Sequence, residues 1–444
     1  MVTVKAGIIG VDGLSGVEVS ARIEKESRVV KKNNPVKADM DNDVYFKKII
    51  PFKYGNKELQ FKVAQDLFSS YQIDLGTQFL LRTIALDGTF HPGKVLDLGC
   101  GYGPIGIALK SLVATSTVHM VDKDALAVAY SRKNIELNRL TGIDVTGSLD
   151  YDSVTDGDYD LIASNIPAKA GEPVIAHLLE DAFYHLSPQG TAAVVVVSLI
   201  EPVTAEILGK NPNIEIIQHK GRPGHAVFQY QFRQHHSQTI RTVPDTNNKD
   251  VYFKELTKLS FGNRQYNVET AWGLPTFNES GLPVELLIDG LENSGVQGIK
   301  NIMLLNSGNG YLPIIAAALF NPQRIILSDR DLLSLRYSKK NLIANGIPEA
   351  NLAVAHRVGP DNDEPTKIDL AVCPLKEDEG PGAAALLINR LGDLMSPGGI
   401  VLLSGSSTAI TRLTGTVPEN HFRVLKREKK KGFSLLVLKS RNAV

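Results

Sequence analysis

The sequence predicts an α/β protein made of two tandem domains, each a mostly parallel sheet with helices on both faces. Three observations carry this prediction. Residues 95–108 read VLDLGCGYGPIGIA: an apolar strand with Asp97 near its end, a turn with Gly99, Gly101 and Gly103 at alternate positions, and an apolar helix. Strand-like runs then alternate with helical runs, as in a parallel sheet with helical crossovers. Finally, the pattern recurs: VYFKKIIPFKYGN at 44–56 meets VYFKELTKLSFGN at 251–263, an offset of 251 − 44 = 207.

The elements follow in order. Residues 1–40 precede the repeat, have no counterpart in the second copy, and contain alternating stretches such as VEVSARIE that suggest a small β-rich extension packed on the first domain. In residues 41–233, VLDLG leads into PIGIALKSLV and VHMVD into ALAVAYSRKNIELNRL. YDLIASN leads into PVIAHLLEDAFYHL, and TAAVVVVS follows. The strands are almost continuously apolar, which fits burial on both faces. Residues 234–250, QHHSQTIRTVPDTNNKD, are polar and aperiodic and read as a linker. Residues 251–444 repeat the unit. The offset of 207 pairs Asp122 with Asp329, Tyr130 with Tyr337, Asn134 with Asn341 and Asn138 with Asn345. At the glycine loops the match reads with a shift of two, Gly99, Gly101 and Tyr102 meeting Gly308, Gly310 and Tyr311. SPQG at 187–190 and SPGG at 396–399 mark a turn before a late strand in each copy. Ordered matches along the chain indicate an internal duplication.

Bulk properties narrow the function. At 444 residues the chain exceeds one ordinary core. Lys plus Arg and Asp plus Glu number 48 each, which argues against a generally polycationic RNA binder and leaves a local basic patch open. The two cysteines, Cys100 and Cys373, supply neither a disulfide framework nor a zinc set. His91, His119 and His177 show no metal spacing and read as surface or packing residues, so no metal is expected. The start lacks the regions of a signal peptide and no apolar run reaches the length of a membrane span. A soluble, cytoplasmic, monomeric protein is expected.

In such a sheet the ligand lies beyond the carboxyl ends of the strands, where Gly99 to Gly103, Asp122 and Asn165 fall. Glycines let the backbone turn and approach a ligand closely. Asp122, ending a strand about 20 residues after the loop, suits ribose hydroxyls. A dinucleotide is one ligand for such a loop, but G-x-G-x-G differs from the dinucleotide pattern G-x-G-x-x-G. The fourth strand ends in ASNIPAKAG, residues 163–171. There the Asn165 amide oxygen and the Ile166 carbonyl are placed to accept two hydrogen bonds from an exocyclic amine, with Pro167 stiffening the corner. On its own, N-I-P is also an ordinary turn.

The loop, with its Asp-ended strand, resembles that of class I S-adenosylmethionine (AdoMet) methyltransferases. The corner Asn165-Ile166-Pro167-Ala168-Lys169-Ala170-Gly171 is similar to the Asn-Pro-Pro-Ile-Arg-Ala-Gly of the "methyltransferase small" branch, which includes the tandem ribosomal RNA guanine-N2 methyltransferases. Phe68-Ser69-Ser70-Tyr71 and Asp74-Leu75-Gly76-Thr77 match that branch's Phe-Ser and Asp-x-Gly-Thr. The resemblance covers roughly residues 44–230 and more weakly 251–440. It implies two Rossmann-like domains with seven-stranded sheets, the second degenerate, and AdoMet as cofactor. It further implies methyl transfer to a guanine N2 in ribosomal RNA, free or in a subunit. Asn165, Ile166 and Pro167 would be catalytic. Asp97, Gly99, Cys100, Gly101, Gly103, Asp122, Asp150 and Thr77 would bind cofactor, with Asp97 on the methionine ammonium and Asp150, one of four acids at 150, 152, 156 and 158, on the adenine amine. Phe68, Tyr71 and Lys169 would meet substrate. The chain departs from the pattern where Ile166 replaces the first Pro and where no aromatic follows Pro167.

In the second copy the shifted match sets Asn306 against Asp97, Leu312 against Gly103, and Cys373-Pro374 against Asn165-Ile166. That copy reads as a scaffold or RNA-docking domain, with Arg427 and Lys429 to Lys431, or Lys53 and Lys57 on the first domain, as phosphate contacts or solvated turns. A chain ending near Thr246 is accordingly expected to bind AdoMet normally and to need more RNA. Two other readings stand: a protein glutamine N5-methyltransferase, since the corner serves that amine too, and a non-catalytic RNA-binding or assembly protein.

Overall fold

The computed structural model describes residues 43–84, 91–234, 250–361, 364 and 366–441. The extension at 1–40, His91's neighbours at 85–90 and nearly all of the 234–250 linker lie outside these residues. Both repeats belong to one compact unit that begins at Tyr45.

Each repeat opens with a hairpin. In the first, β1 (Phe46–Tyr54) pairs antiparallel with β2 (Lys57–Ala64), and Gly55 turns between them at φ 57°. Then come α1 (Leu75–Thr83), β3 (Lys94–Leu98), α2 (Pro104–Leu112), β4 (Thr117–Asp122), α3 (Ala125–Leu137), β5 (Ile143–Gly147), β6 (Tyr159–Asn165), α4 (Glu172–Glu180), β7 (Leu186–Val197), α5 (Glu201–Lys210), β8 (Ile214–Arg222) and β9 (His225–Phe232). The seven-stranded sheet has the order β5-β4-β3-β6-β7-β9-β8. All its pairs are parallel except β7 with β9 and β9 with β8. Residues 187–190, expected to be a turn, lie within β7, where pairing jumps from Tyr159–Leu186 to Leu161–Thr191. Helices on the two faces bury two apolar clusters, one around Leu96, Ile162 and Val194, the other around Val95, Leu161 and Val195, the alternation of a strand covered on both sides.

The second repeat retraces this path. β10 (Phe253–Phe261) and β11 (Arg264–Ala271) form the hairpin. They are followed by α6 (Phe277–Glu292), β12 (Asn301–Leu305), α7 (Tyr311–Phe320), β13 (Arg324–Asp329), α8 (Leu332–Ala344), β14 (Leu352–His356), β15 (Ile368–Pro374), α9 (Pro381–Leu394), β16 (Met395–Ser406), α10 (Ser407–Thr414), β17 (Phe422–Lys430) and β18 (Phe433–Ser440). The order β14-β13-β12-β15-β16-β18-β17 is that of the first sheet.

The repeated asparagines fasten each hairpin to its sheet. Asn134 is fully buried on α3; its Oδ1 accepts from Lys62 N at 2.6 Å and its Nδ2 donates to Lys62 O at 2.9 Å and Tyr102 O at 2.8 Å. Asn138 does the same for Gln60. Asn341 and Asn345 repeat these bonds with Glu269 and Asn267. An amide that both donates to and accepts from one residue's backbone imitates a strand neighbour, so the residue type is fixed by hydrogen bonding.

Candidate functional site

The glycine loop joins β3 to α2. Gly99 and Cys100 donate to Val121 O, both at 2.9 Å, and Ser131 Oγ donates to Gly101 O at 2.8 Å. The three glycines serve two purposes. Gly99 (φ 74°) and Gly101 (φ 58°) have open space where a Cβ would stand, so they keep a cradle clear above the loop. At Gly103 (φ 93°) a Cβ would come within 2.8 Å of both Ile107 and Met120, so that glycine allows α2 to pack on β4. Cys100 is buried, and burial pushes its thiol well above the ordinary range, which leaves its backbone as its contribution to the loop.

Two acids lie under and beside the cradle. Asp97 is fully buried; its Oδ2 accepts from Gly106 N at 2.7 Å while its Oδ1 has no partner. Burial raises its pKa to about 7; the Gly106 bond opposes this and the nearby Asp122 adds to it. Asp122 ends β4 and accepts from Gly101 N at 2.8 Å and Asp124 N at 2.9 Å, one bond per oxygen. Burial pushes it up to about 6 against those bonds. The turn after β5 is tied to β4 through Ser148 N and Asp122 O (3.0 Å), which brings Asp150, at φ 48°, to the same end of the sheet. Asp150 Oδ2 accepts the Tyr252 hydroxyl and lies 3.8 Å from His177 Nε2. An orphaned buried carboxylate oxygen and an open glycine cradle fit the ammonium and backbone-hugging chain of AdoMet, and Asp122 retains lone pairs for ribose hydroxyls.

The corner at the end of β6 stands opposite. Ile166 is buried and its N–H is bonded to Val195 O at 3.0 Å, while Pro167 and Lys169 are exposed. Asn165 Nδ2 donates to Asp74 Oδ2 at 3.0 Å and Thr77 Oγ1 at 3.1 Å. Asp74 also N-caps α1, its Oδ2 accepting from Thr77 N at 2.9 Å. A carboxylate only accepts, so the NH₂ of Asn165 must face Asp74, and Oδ1 is turned the other way as an acceptor. Thr77, grouped with the cofactor residues on sequence, is placed on Asn165, and Asp74, named on sequence only as the start of the Asp-x-Gly-Thr match, is the residue that orients it. Phe68 and Tyr71 are each 73% exposed in a loop tethered by Tyr102 Oη to Ser69 O at 3.3 Å. Lys47 Nζ lies 3.3 Å from the centre of the Tyr71 ring. These residues line an open groove of about 520 Å³ with Gln65, Asp66 and Asp378.

The second copy keeps the frame and loses the chemistry, though by a different alignment from the one expected. The sheet register shows no shift at the glycine loop. Leu98 pairs with Val121 and Leu305 with Ser328, and Gly103 and Gly310 both N-cap the next helix, each pair 207 apart (305 − 98 = 310 − 103 = 207). Leu304, and not Asn306, therefore stands at Asp97, and Gly310, and not Leu312, at Gly103. Asn306 takes the place of Gly99 at φ 53°, a left-handed conformation that Asn tolerates. Pro313 replaces Gly106, so acid and N–H partner have gone together. At the corner the offset is 209: Leu375 N donates to Ser404 O as Ile166 N does to Val195 O, which sets Pro374 at Asn165 and Leu375 at Ile166. Asp329 survives but is occupied: Lys376 Nζ donates to Oδ1 at 2.9 Å and Ser334 Oγ to Oδ2 at 2.6 Å. The Lys376 charge and these bonds hold Asp329 low although burial opposes it. The cavity left there, about 40 Å³, has room for a few waters and none for a nucleoside.

Among the described residues there is no cluster able to hold a metal, and no helix long and apolar enough to cross a membrane. His177, expected to be a surface or packing residue, is half-buried and paired with Asp181 at 3.0 Å. Burial works against its charge, but that bond and the carboxylates of Asp181, Asp150 and Asp250 raise its pKa.

Residues 58–220 match the model of the methyltransferase small domain. The uncharacterised protein YbxB of Bacillus subtilis is 32% identical over 154 residues, 34% of this chain and 74% of that protein. Ribosomal RNA small subunit methyltransferase C of Haemophilus influenzae is 38% identical over 133 residues, 29% of this chain and 39% of the enzyme. The chain thus spans about two fifths of the length of that relative. In architecture it is similar to the T. thermophilus 16S rRNA N2 G1207 methyltransferase solved with AdoMet and guanosine: the TM-score is 0.61 at 18% identity, over 89% of this chain and 98% of the other, a likeness of the tandem fold. The chain belongs to the methyltransferase small domain family of S-adenosylmethionine-dependent methyltransferases.

Proposed function

We propose that this chain methylates the exocyclic N2 of a guanine in ribosomal RNA, with chemistry in residues 41–233 and support from 251–444. The reading is supported by the relatives named as ribosomal RNA methyltransferases. The observation that carries the reaction type is the orientation of Asn165 by Asp74 and Thr77.

In this reading Asp97 faces the methionine ammonium, Asp122 the ribose, Asp150 the adenine amine, and the Gly99–Gly103 backbone the length of the cofactor. AdoMet supplies an already activated methyl group on a sulfonium. The protein therefore has to position the amine. Asn165 Oδ1 and the Ile166 carbonyl accept hydrogen bonds from its two N–H groups and aim the nitrogen lone pair, with Pro167 fixing the corner. A base must leave its stack to reach them, at a few kcal/mol. Exposed Phe68 and one face of Tyr71, whose other face lies under the Lys47 ammonium, are offered for stacking, and exposed Lys169 beside the corner is offered to a phosphate. On the second domain, edge strand β17 offers Lys429 and the turn after it Lys431, while Lys430 and Arg427 are engaged with Asp289 and with Ser407 and Thr411.

Asn165→Ala tests this directly. It should leave AdoMet affinity within about two-fold and lower kcat by several orders of magnitude, because orientation supplies up to about 7–11 kcal/mol in such reactions. A loss of only a few-fold would make Asn165 a structural residue.

A further inference from the structure

The second domain meets the first at the end of the sheet that carries Asp122 and Asp150. The two loops after β4 and β13 pair with each other: Ala125 N donates to Arg330 O at 2.8 Å and Leu332 N to Lys123 O at 3.1 Å. These residues are equivalent under the repeat (330 − 123 = 332 − 125 = 207), so the domains are related by a local twofold through the Asp124–Asp331 bridge. About that axis the residues that flank each hairpin reach the other sheet. Tyr252, just before β10, sets its hydroxyl on Asp150, and Trp272, just after β11, covers Gly171, where a Cβ would come within 2.6 Å of the indole. Their counterparts Tyr45 and Gln65 (252 − 45 = 272 − 65 = 207) do the same for the second sheet: Tyr45 lines its small cavity and Gln65 covers Gly380. The contact is part of the core, since Tyr252, Ala271 and Leu274 belong to one apolar cluster with Leu149, Tyr151 and Val174.

The two ends differ beneath these covers. In the second sheet Lys376 fills the site; in the first the cradle is clear and Asp150 is held from across the boundary. We propose that the second domain forms a wall of the first domain's cofactor site, with Tyr252 as a positioning residue that holds one oxygen of Asp150 so that the other accepts the adenine 6-amine. This rests on the reading of Asp150 as the adenine acceptor. The chemistry follows from the donor inventory. A phenol hydroxyl donates to Oδ2, Oδ1 is left as an acceptor, and an acceptor in a fixed direction favours an amine over a 6-oxo group. Deleting the second domain would then remove part of the cofactor site, contrary to the expectation that a chain ending near Thr246 binds AdoMet normally.

The test uses the full-length protein and two non-reacting ligands, S-adenosylhomocysteine and S-inosylhomocysteine, titrated calorimetrically. Wild type should prefer the adenosyl compound. Tyr252→Phe should weaken it about 3- to 10-fold, the range of one hydrogen bond, shrink the preference by a similar factor, and leave kcat at saturating cofactor within about two-fold. Asp150→Ala should abolish the preference, and the double variant should be no weaker than Asp150→Ala alone. The ratio of the two ligands is the safeguard, since general loosening of the interface weakens both alike. If Tyr252→Phe keeps the wild-type ratio while Asp150→Ala loses it, Asp150 stands and the role of Tyr252 is overturned. If both variants keep the ratio, the reading of Asp150 itself fails, and the proposal with it.

Discussion

Lowering the pH should weaken AdoMet binding through one buried carboxylate. Asp97 sits under the glycine loop with one unpartnered oxygen, and burial raises its pKa to about 7 from an ordinary 3.8. The folded pKa of this acid lies above the unfolded one, so its contribution to stability is full below about 3.8 and is lost as pH rises through about 7. A shift of about 3 units at about 1.4 kcal/mol each makes ionised Asp97 cost the ligand-free fold about 4 kcal/mol at pH 8. An ammonium beside Oδ1 reverses this preference, because an opposite charge within reach lowers a carboxylate pKa by about 1–3 units. At pH 5.5 only about 3% of ligand-free Asp97 is ionised, so affinity there should be about ten- to thirty-fold below its value at pH 8. Asp122, at about 6, adds to the trend in the same direction. Asp97→Asn separates the two: it should raise the melting temperature of the ligand-free protein at pH 8 more than at pH 5, and remove most of the pH dependence of binding along with most of the affinity. Calorimetric titration of AdoMet between pH 5.5 and 8, with melting curves of both proteins, measures this. Equal affinity across that range in wild type, or an Asp97→Asn variant no more stable at pH 8, would refute the assignment of Asp97 to the ammonium.

Other outcomes follow from the same geometry. Asp74→Ala should cost about 1 kcal/mol of stability by removing the N-cap of α1 and lower kcat with little change in AdoMet affinity, whereas Asp74→Asn, which keeps a cap and an acceptor, should stay near wild type; matched kcat values for the two would dismiss an orienting role. Titration should give one AdoMet per chain, and Leu304→Asp with Pro313→Gly should not add a second site, because Lys376 still occupies Asp329; a stoichiometry of two is the contrary result. Tyr71→Ala and Phe68→Ala should raise KM for RNA and spare AdoMet affinity, as judged by steady-state kinetics on each substrate. If Lys429 and Lys431 reach phosphate, replacing both with Ala should flatten the salt dependence of RNA binding by about 0.7–0.9 for each phosphate no longer neutralised; an unchanged slope removes β17 from the interface.

The parts of this molecule fixed by short-range chemistry were legible in its sequence. A strand, a glycine turn and a helix in VLDLGCGYGPIGIA can hardly be arranged otherwise, and the asparagine pairs at 134 and 138 recur at 341 and 345 because their hydrogen bonds recur. Matching glycine to glycine misaligns the loop, because Asn306 adopts the left-handed backbone of Gly99; conformation is retained where identity is not. Asp150 was legible only as one acid among four, since its distinction is a partner, Tyr252, that lies 102 positions away. The VYFK repeat carries the signal for Tyr252, but not that the residues flanking each hairpin serve the opposite copy, because that depends on the twofold packing of the two sheets. The place of Thr77 against Asn165 is not legible, because nothing local reveals that a helix N-terminus will meet the end of β6.

The most direct test of the central claim is transfer of isotope-labelled methyl from AdoMet to naked ribosomal RNA, to assembled small and large subunits and to total protein, followed by nucleoside and amino-acid analysis. Label should appear in RNA as N2-methylguanosine with wild type and be absent with Asn165→Ala. Label in another nucleoside or in a glutamine side chain, or N2-methylguanosine formed as well by Asn165→Ala, would contradict it.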